Sequence, residues 1–232
     1  MARKDIILAA IGGLIFATDI VLWNQSIKII SATIATLFAN LAPVWVGLIS
    51  YFILRKKSGY LFWIGTCTAV VGMVVLVGLT NLLQLQLNIG FIYAIVASIL
   101  YAIYILITHN ILKRINTIPF MFYNMLAATV FLLLLAIIWG DNLLHFNLKT
   151  WGSFMGMGVL CQLTGWITIN LAIGRLESTT VSITLLSQTV VACILATFIL
   201  NETLELKEII GSVIVLCGIA ITFLKPRAPS TE

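Results

Sequence analysis

A chain of 232 residues that is 61% hydrophobic and 9% charged is not a soluble globular domain, since such domains carry about 25% charged residues. Its net charge of +5 is scattered over short segments between apolar runs, which excludes a nucleic-acid-binding patch and leaves an all-α polytopic membrane protein as the fold class. The four cysteines (Cys67, Cys161, Cys193 and Cys217) all lie inside apolar runs without C-x-x-C spacing, so they read as buried apolar packing rather than as a disulfide or metal framework.

Eight stretches approach or exceed the ~20 residues that one bilayer crossing needs. They are Ile6–Trp23, Ser31–Leu54, Tyr60–Thr80, Ile89–Ile111, Ile118–Trp139, Trp151–Leu171, Thr179–Leu200 and Glu208–Leu224. The first has the basic start and apolar core of a signal peptide, but no A-x-A-like cleavage site follows and Asp19 interrupts the core. Asp19 shares a helix face with Gly12, Phe16 and Trp23. An ionised carboxylate at mid-membrane costs at least ~2.5–3.5 kcal/mol and by default marks a solute or proton pathway. The competing reading places Asp19 near the outer headgroups, solvated beside Lys28.

The second span holds 24 residues without a charge, yet Thr33, Thr36, Asn40, Pro43, Gly47 and Ser50 recur at spacings of three and four along one face. Pro43 removes a backbone donor and frees the carbonyl near Ala39, a defect worth roughly 3 kcal/mol in a soluble helix. In a bilayer the defect survives only where protein or a water-filled cavity satisfies it. The third span carries Gly65 and Gly72, spaced for close helix packing. The fourth places Ala97, Tyr101, Tyr104 and Thr108 on one face, with Tyr101 the favoured solute contact, and ends at an interfacial His109. Gln162, Gly165, Trp166 and Asn170 share a face of the sixth span, where Gln162 and Trp166 are the candidates. Tyr60, Trp63, Trp139 and Trp151 fall near span ends, where amphipathic rings favour the headgroup level.

The seventh and eighth spans repeat the second and third at an offset of 146 residues. The polar stripe returns as Thr179, Ser182, Leu186, Thr189, Cys193 and Ala196, and Phe52-Ile53-Leu54 falls on Phe198-Ile199-Leu200. Gly65 and Gly72 fall on Gly211 and Gly218, Gly12 on Gly158, and Asn24 on Asn170. Spans one to three therefore match spans six to eight, a five-helix repeat. Five is odd, so the second copy enters the membrane from the opposite side, as in inverted-repeat carriers that bind solute near the midplane between the halves. Residues 1–80 read as the last three helices of the first repeat and 81–224 as a complete second repeat. The partners of spans four and five are then absent, so eight helices stand where a complete unit has ten. A second polypeptide, or a second copy, is the expected source of the missing wall if the chain itself lacks them.

Orientation follows from the basic residues. With the N-terminus inside, inner segments hold Arg3, Lys4, Arg55, Lys56, Lys57, Lys113, Arg114, Arg175, Lys225 and Arg227, against Lys28, Lys149 and Lys207 outside. This bias places both termini in the cytoplasm of a multi-pass protein of the inner or plasma membrane. The tail 225–232, with Pro226 and Pro229, reads as a disordered cytoplasmic end.

The Asn40-Leu-Ala-Pro-Val44 segment, within a leucine-containing helix that ends in a polar turn and is followed by a glycine-bearing helix, resembles the EamA type of the drug/metabolite transporter superfamily. The first copy reads Leu37–Val44, Arg55-Lys56-Lys57, then Gly65 and Gly72; the second reads Leu185–Val190, Asn201-Glu202, then Gly211 and Gly218. The resemblance covers nearly the whole chain, from the family's third helix to its tenth. Departures are the two missing helices, Thr189 in place of a second proline, and Arg55-Lys56 where many relatives carry an acid. The resemblance implies a secondary transporter or exporter of small metabolites, amino-acid-like or drug-like, working by alternating access without a cofactor. The implied solute contacts are Asp19, Trp23, Asn40, Pro43, Tyr101, Gln162, Trp166, Gln188 and Thr189. A membrane-embedded enzyme is disfavoured, because the sequence has no H-E-x-x-H, D-D-x-x-D or C-x-x-C motif and no Ser/His/Asp set. The alternative is a truncated or half-site subunit without transport of its own.

Overall fold

The computed structural model describes residues 3–56, 58–78, 88–140, 146–200 and 205–224, and among them there is no β-strand. The helices are α1 (Arg3–Ile29), α2 (Ala32–Ala39), α3 (Ala42–Phe52), α4 (Tyr60–Val77), α5 (Ile89–Leu112), α6 (Thr117–Trp139), α7 (Leu148–Gly156), a π-helical segment (Met157–Gly165), α8 (Trp166–Arg175), α9 (Ser178–Thr184), α10 (Ser187–Leu200) and α11 (Leu206–Phe223). Eight helical spans among the described residues are long and apolar enough to cross a membrane, matching the number and order read from the sequence. The protein is thus an all-α polytopic membrane protein. The segment 225–232 lies outside the described residues, as does Thr80 at the expected end of the third span.

Local chemistry sets the helix ends. The Ser31 hydroxyl accepts from the Ile34 N–H and caps α2. Asn147 caps α7 in the same way, its side-chain oxygen 2.8 Å from the Thr150 nitrogen. Glu205 and Glu208 form a reciprocal capping box at the start of α11. Gly140 closes α6 at φ 69°, a left-handed turn that glycine adopts without strain.

The chain forms two compact units, residues Met1–Val21 with Ile103–Glu177, and residues Leu22–Ala102 with Ser178–Glu232. In the first, α6 lies against α1 around Asn124, which is fully buried and donates from Nδ2 to the Ala9 carbonyl. The approach depends on Gly12 and Gly13: a methyl group at Gly13 would collide with the Asn124 carbonyl oxygen.

In the second unit α4 packs along α11 through four glycines. A methyl group at Gly72 would come within 2.6 Å of the Val215 nitrogen, and one at Gly211 within 2.5 Å of the Leu76 nitrogen. Gly65 and Gly218 meet the same way, each facing the other's carbonyl oxygen. The seven-residue glycine spacing seen in the sequence therefore marks a backbone-to-backbone seam, the kind of contact that gives membrane helices their van der Waals attraction. The core beside that seam comprises residues such as Leu37, Met73, Ile183, Leu186 and Val190.

One sequence expectation fails. Cys67, Cys161 and Cys217 are exposed and Cys193 is half-buried, not packed in the interior. The physical reason is the solvent: hydrocarbon accepts a small apolar side chain as readily as a protein core does, so apolar surroundings in the sequence do not imply burial.

Candidate functional site

The second span, where Pro43 places a defect, and the seventh, where the polar stripe returns, are both broken, and at corresponding places. The second span is interrupted at Asn40–Leu41 and the seventh at Leu185–Leu186. Their backbone bonds match: Leu41 N–H to Phe38 O and Val44 N–H to Leu41 O in one, Leu186 N–H to Ile183 O and Thr189 N–H to Leu186 O in the other. The break geometry repeats at 145 residues, one less than the sequence register, so Gln188 rather than Thr189 stands opposite Pro43. Pro43 sits in the first turn of α3, where its missing N–H has no intrahelical acceptor to lose. The chain spends the break before the proline rather than kinking at it.

The two breaks meet. Gln188 Nε2 donates to Asn40 Oδ1 at 3.0 Å, and Asn40 Nδ2 lies 3.4 Å from Thr189 Oγ1. Asn40 is 8% exposed, so its amide is held by these partners inside the unit. Nearby in the chain, Trp45 Nε1 donates to Ser98 Oγ at 2.8 Å, and Ser98 passes its own proton to the Ile95 carbonyl. Asn40, Gln188 and Thr189, three of the nine residues selected from the sequence, are thus brought together, and Pro43 is buried three residues on from Asn40. Trp23 and Tyr101, in the same unit, are half-buried.

The other unit holds an aromatic and amide cluster. Phe16 packs edge-on against Trp166 with ring centroids 4.3 Å apart, and Tyr104 stands 5.2 Å from Phe16 and 5.9 Å from Trp166. Tyr104 is fully buried and donates to Asn170 Oδ1 at 3.0 Å, while Asn170 Nδ2 is bound by the Trp166 carbonyl and the Met121 sulfur. His109 Nδ1 is 2.7 Å from the Ile173 carbonyl oxygen, which ties the end of α5 to α8. On α5 Tyr104 meets Trp166. Tyr104 and Asn170 were visible as faces of their helices, and the repeat that pairs Asn24 with Asn170 was the signal that singled the latter out.

Beside this cluster lies a cavity of about 660 Å3 between α1, α6 and the π-helical segment, with Phe16, Met121, Met125, Thr129, Gln162 and Ile167 among its lining residues. The π-helical register is reinforced by Thr164, whose hydroxyl bonds the Val159 carbonyl five residues back. Such segments recur where a helix must re-aim a side chain. Asp19 is half-buried on α1 and does not line the cavity; among the described residues it has no hydrogen-bond or ion-pair partner, Lys28 included.

Eight helical spans of membrane-crossing length, glycine-seamed helices and a pair of broken helices joined by a hydrogen bond from the exposed Gln188 to the buried Asn40 define a polytopic carrier-type membrane protein. The EamA-like transporter family model matches residues 2–78 and 88–224, and the chain belongs to that family. It is 21% identical over 223 residues to "Uncharacterized transporter YdfC" of Bacillus subtilis (strain 168), covering 96% of this chain and 72% of that protein. An "Uncharacterized transporter" of Clostridium kluyveri is 24% identical over 198 residues, 83% of this chain and 63% of the relative. A solved crystal structure superposes with a TM-score of 0.81 at 17% identity, over 97% of this chain and 79% of its own, a likeness of fold.

Proposed function

We propose that the chain is a secondary transporter of small metabolites, amino-acid-like or drug-like, working by alternating access in the cytoplasmic membrane with both termini inside. In this reading residues 1–80 and 81–224 are inverted repeats, and 225–232 is a cytoplasmic tail. The observation that carries it is the meeting of the two breaks through Asn40, Gln188 and Thr189. Broken helices at membrane depth persist where they bound a solute path, and amides exchanged between them give a polar solute something to displace. Asp19, Trp23, Pro43, Tyr101, Gln162 and Trp166 complete the set of contacts. The test is counterflow of radiolabelled amino acids and uncharged drugs in proteoliposomes: solute-specific exchange is expected from the wild type, and its absence across the panel overturns the reading. Asp19→Asn is expected to slow uptake at unchanged protein level, and wild-type rates in that variant would remove Asp19 from the mechanism.

A second reading, a subunit that works only with helices from another chain or a second copy, is favoured by one observation. No residue from Leu148 through Gly165 is buried, although this stretch holds Gln162 and lies in the least hydropathic of the eight spans. Exchange by the purified chain reconstituted at one copy per vesicle argues for the first reading; exchange restored only by a second polypeptide argues for this one.

A further inference from the structure

The cavity between α1, α6 and the π-helical segment has a chemistry that the family assignment does not specify. Its lining residues include no charged side chain, and two of them, Thr129 and Gln162, are polar. Both are exposed, and among the described residues neither has a hydrogen-bond partner. Their neighbours behave differently: Thr164 and Thr168 return their hydroxyls to carbonyls of their own helix. An amide and a hydroxyl left open toward hydrocarbon are unfavourable, and an acyl chain cannot satisfy them. The apolar rim formed by Ile118, Phe122 and Leu126 is itself 71%, 63% and 50% exposed, so the cavity opens on a surface that faces lipid.

We propose that this cavity binds an uncharged aromatic solute that hydrogen-bonds Gln162 and Thr129 and enters sideways from the bilayer. The proposal rests on the carrier reading for its purpose, but binding itself requires no flux. The volume suits a drug-sized molecule, since ligand sites run from about 300 to 1,000 Å3. Met121, Met125 and Phe16 supply polarisable, adaptable walls for a ring. The absence of any charged lining group disfavours zwitterions and ions, because nothing there repays their desolvation. Gly158 and Gln162, four residues apart in the π-helical segment, both line the cavity.

The probe is benzophenone, an uncharged diaryl ketone whose photochemistry favours methionine C–H bonds. Its charged counterpart is 4-benzoylbenzoate. The purified chain in phosphatidylcholine nanodiscs is irradiated over a range of probe concentrations, and labelled peptides are mapped by mass spectrometry. Expected are saturable labelling of Met121 or Met125, about a tenfold weaker half-saturation in the Gln162→Leu/Thr129→Val double variant, and no saturable labelling by the carboxylate. Both substituted positions are exposed, so the variant retains its fold, which its helical content and thermal transition verify; Gln162→Asn is expected to restore part of the affinity. Labelling that rises linearly with probe, that is spread evenly over α6, or that is indifferent to the double variant overturns the proposal, as does equal labelling by 4-benzoylbenzoate. Saturable labelling without exchange of any solute in proteoliposomes would instead count against the carrier reading alone.

Discussion

Asn40 shows what a single side chain can do where water is scarce. Its amide oxygen accepts from Gln188 and its amide nitrogen faces the Thr189 hydroxyl. Interhelical side-chain hydrogen bonds in membrane proteins average about 0.6 kcal/mol, because the unfolded-in-membrane state also finds partners. Asn40→Leu should therefore lower stability by about 1 kcal/mol, not by the several kcal/mol expected from stranding a polar group in oil. A double-mutant cycle with Gln188→Leu should return a coupling near 0.6 kcal/mol in denaturant unfolding from mixed micelles. Strict additivity would mean that the two amides do not share a bond. Gln188 and Thr189 are not interchangeable in this scheme: Thr189 matches Pro43 in sequence register, but Gln188 occupies its place in the break and makes the shorter bond.

At the scale of whole helices, glycine placement separates the seams from the open faces. Gly72 and Gly211 face backbone atoms that cannot move aside, whereas Gly152 and Gly156 have nothing within 4 Å. Overpacking a tight core costs about 1–3 kcal/mol. Gly72→Leu and Gly211→Leu should fall at or beyond the upper end, visible as a fall in thermal midpoint in detergent, while Gly152→Ala should leave that midpoint unchanged. Equal sensitivity at Gly72 and Gly152 would deny the α4–α11 seam. The open stretch from Leu148 to Gly165 also bears on how helices read in sequence. Its glycines recur much as those of α4 do, yet one set is packed against backbone and the other is not, because spacing reveals a groove without revealing what fills it.

For the molecule as a whole, the eight spans, their order and the defect in the second of them were legible in the residues. Hydrophobic length fixes a crossing, and the Thr33 to Ser50 stripe announces a helix that does not face lipid all round. Three features were not legible. The π-helical register of Met157–Gly165 adds no residue type that an α-helix would refuse. The exposure of the cysteines depends on what lies outside the helix, which an apolar neighbourhood does not report. The partner of Tyr104 is the third, since a place on a helix face does not say that Asn170 takes its hydroxyl. Orientation belongs to the same scale, and the orientation we propose puts ten basic residues in the termini and inner loops and three in the outer loops. Lys and Arg on the cytoplasmic side set topology when counted over short loops, and in the proposed reading all eight candidate spans cross, which puts both ends on one side. Single cysteines introduced at Lys28 and Lys149, in a background with Cys67, Cys161, Cys193 and Cys217 replaced by serine or alanine, should react with a membrane-impermeant maleimide on intact cells. Cysteines at Lys113 and Arg175 should react only after permeabilisation. Labelling of Lys113→Cys from outside would invert the protein, and labelling of both sets from one side would require a crossing to be lost. Only the second outcome would also break the inverted repeat, because copies that enter from opposite faces must present their equivalent loops, Lys28 and Arg175 among them, to opposite sides.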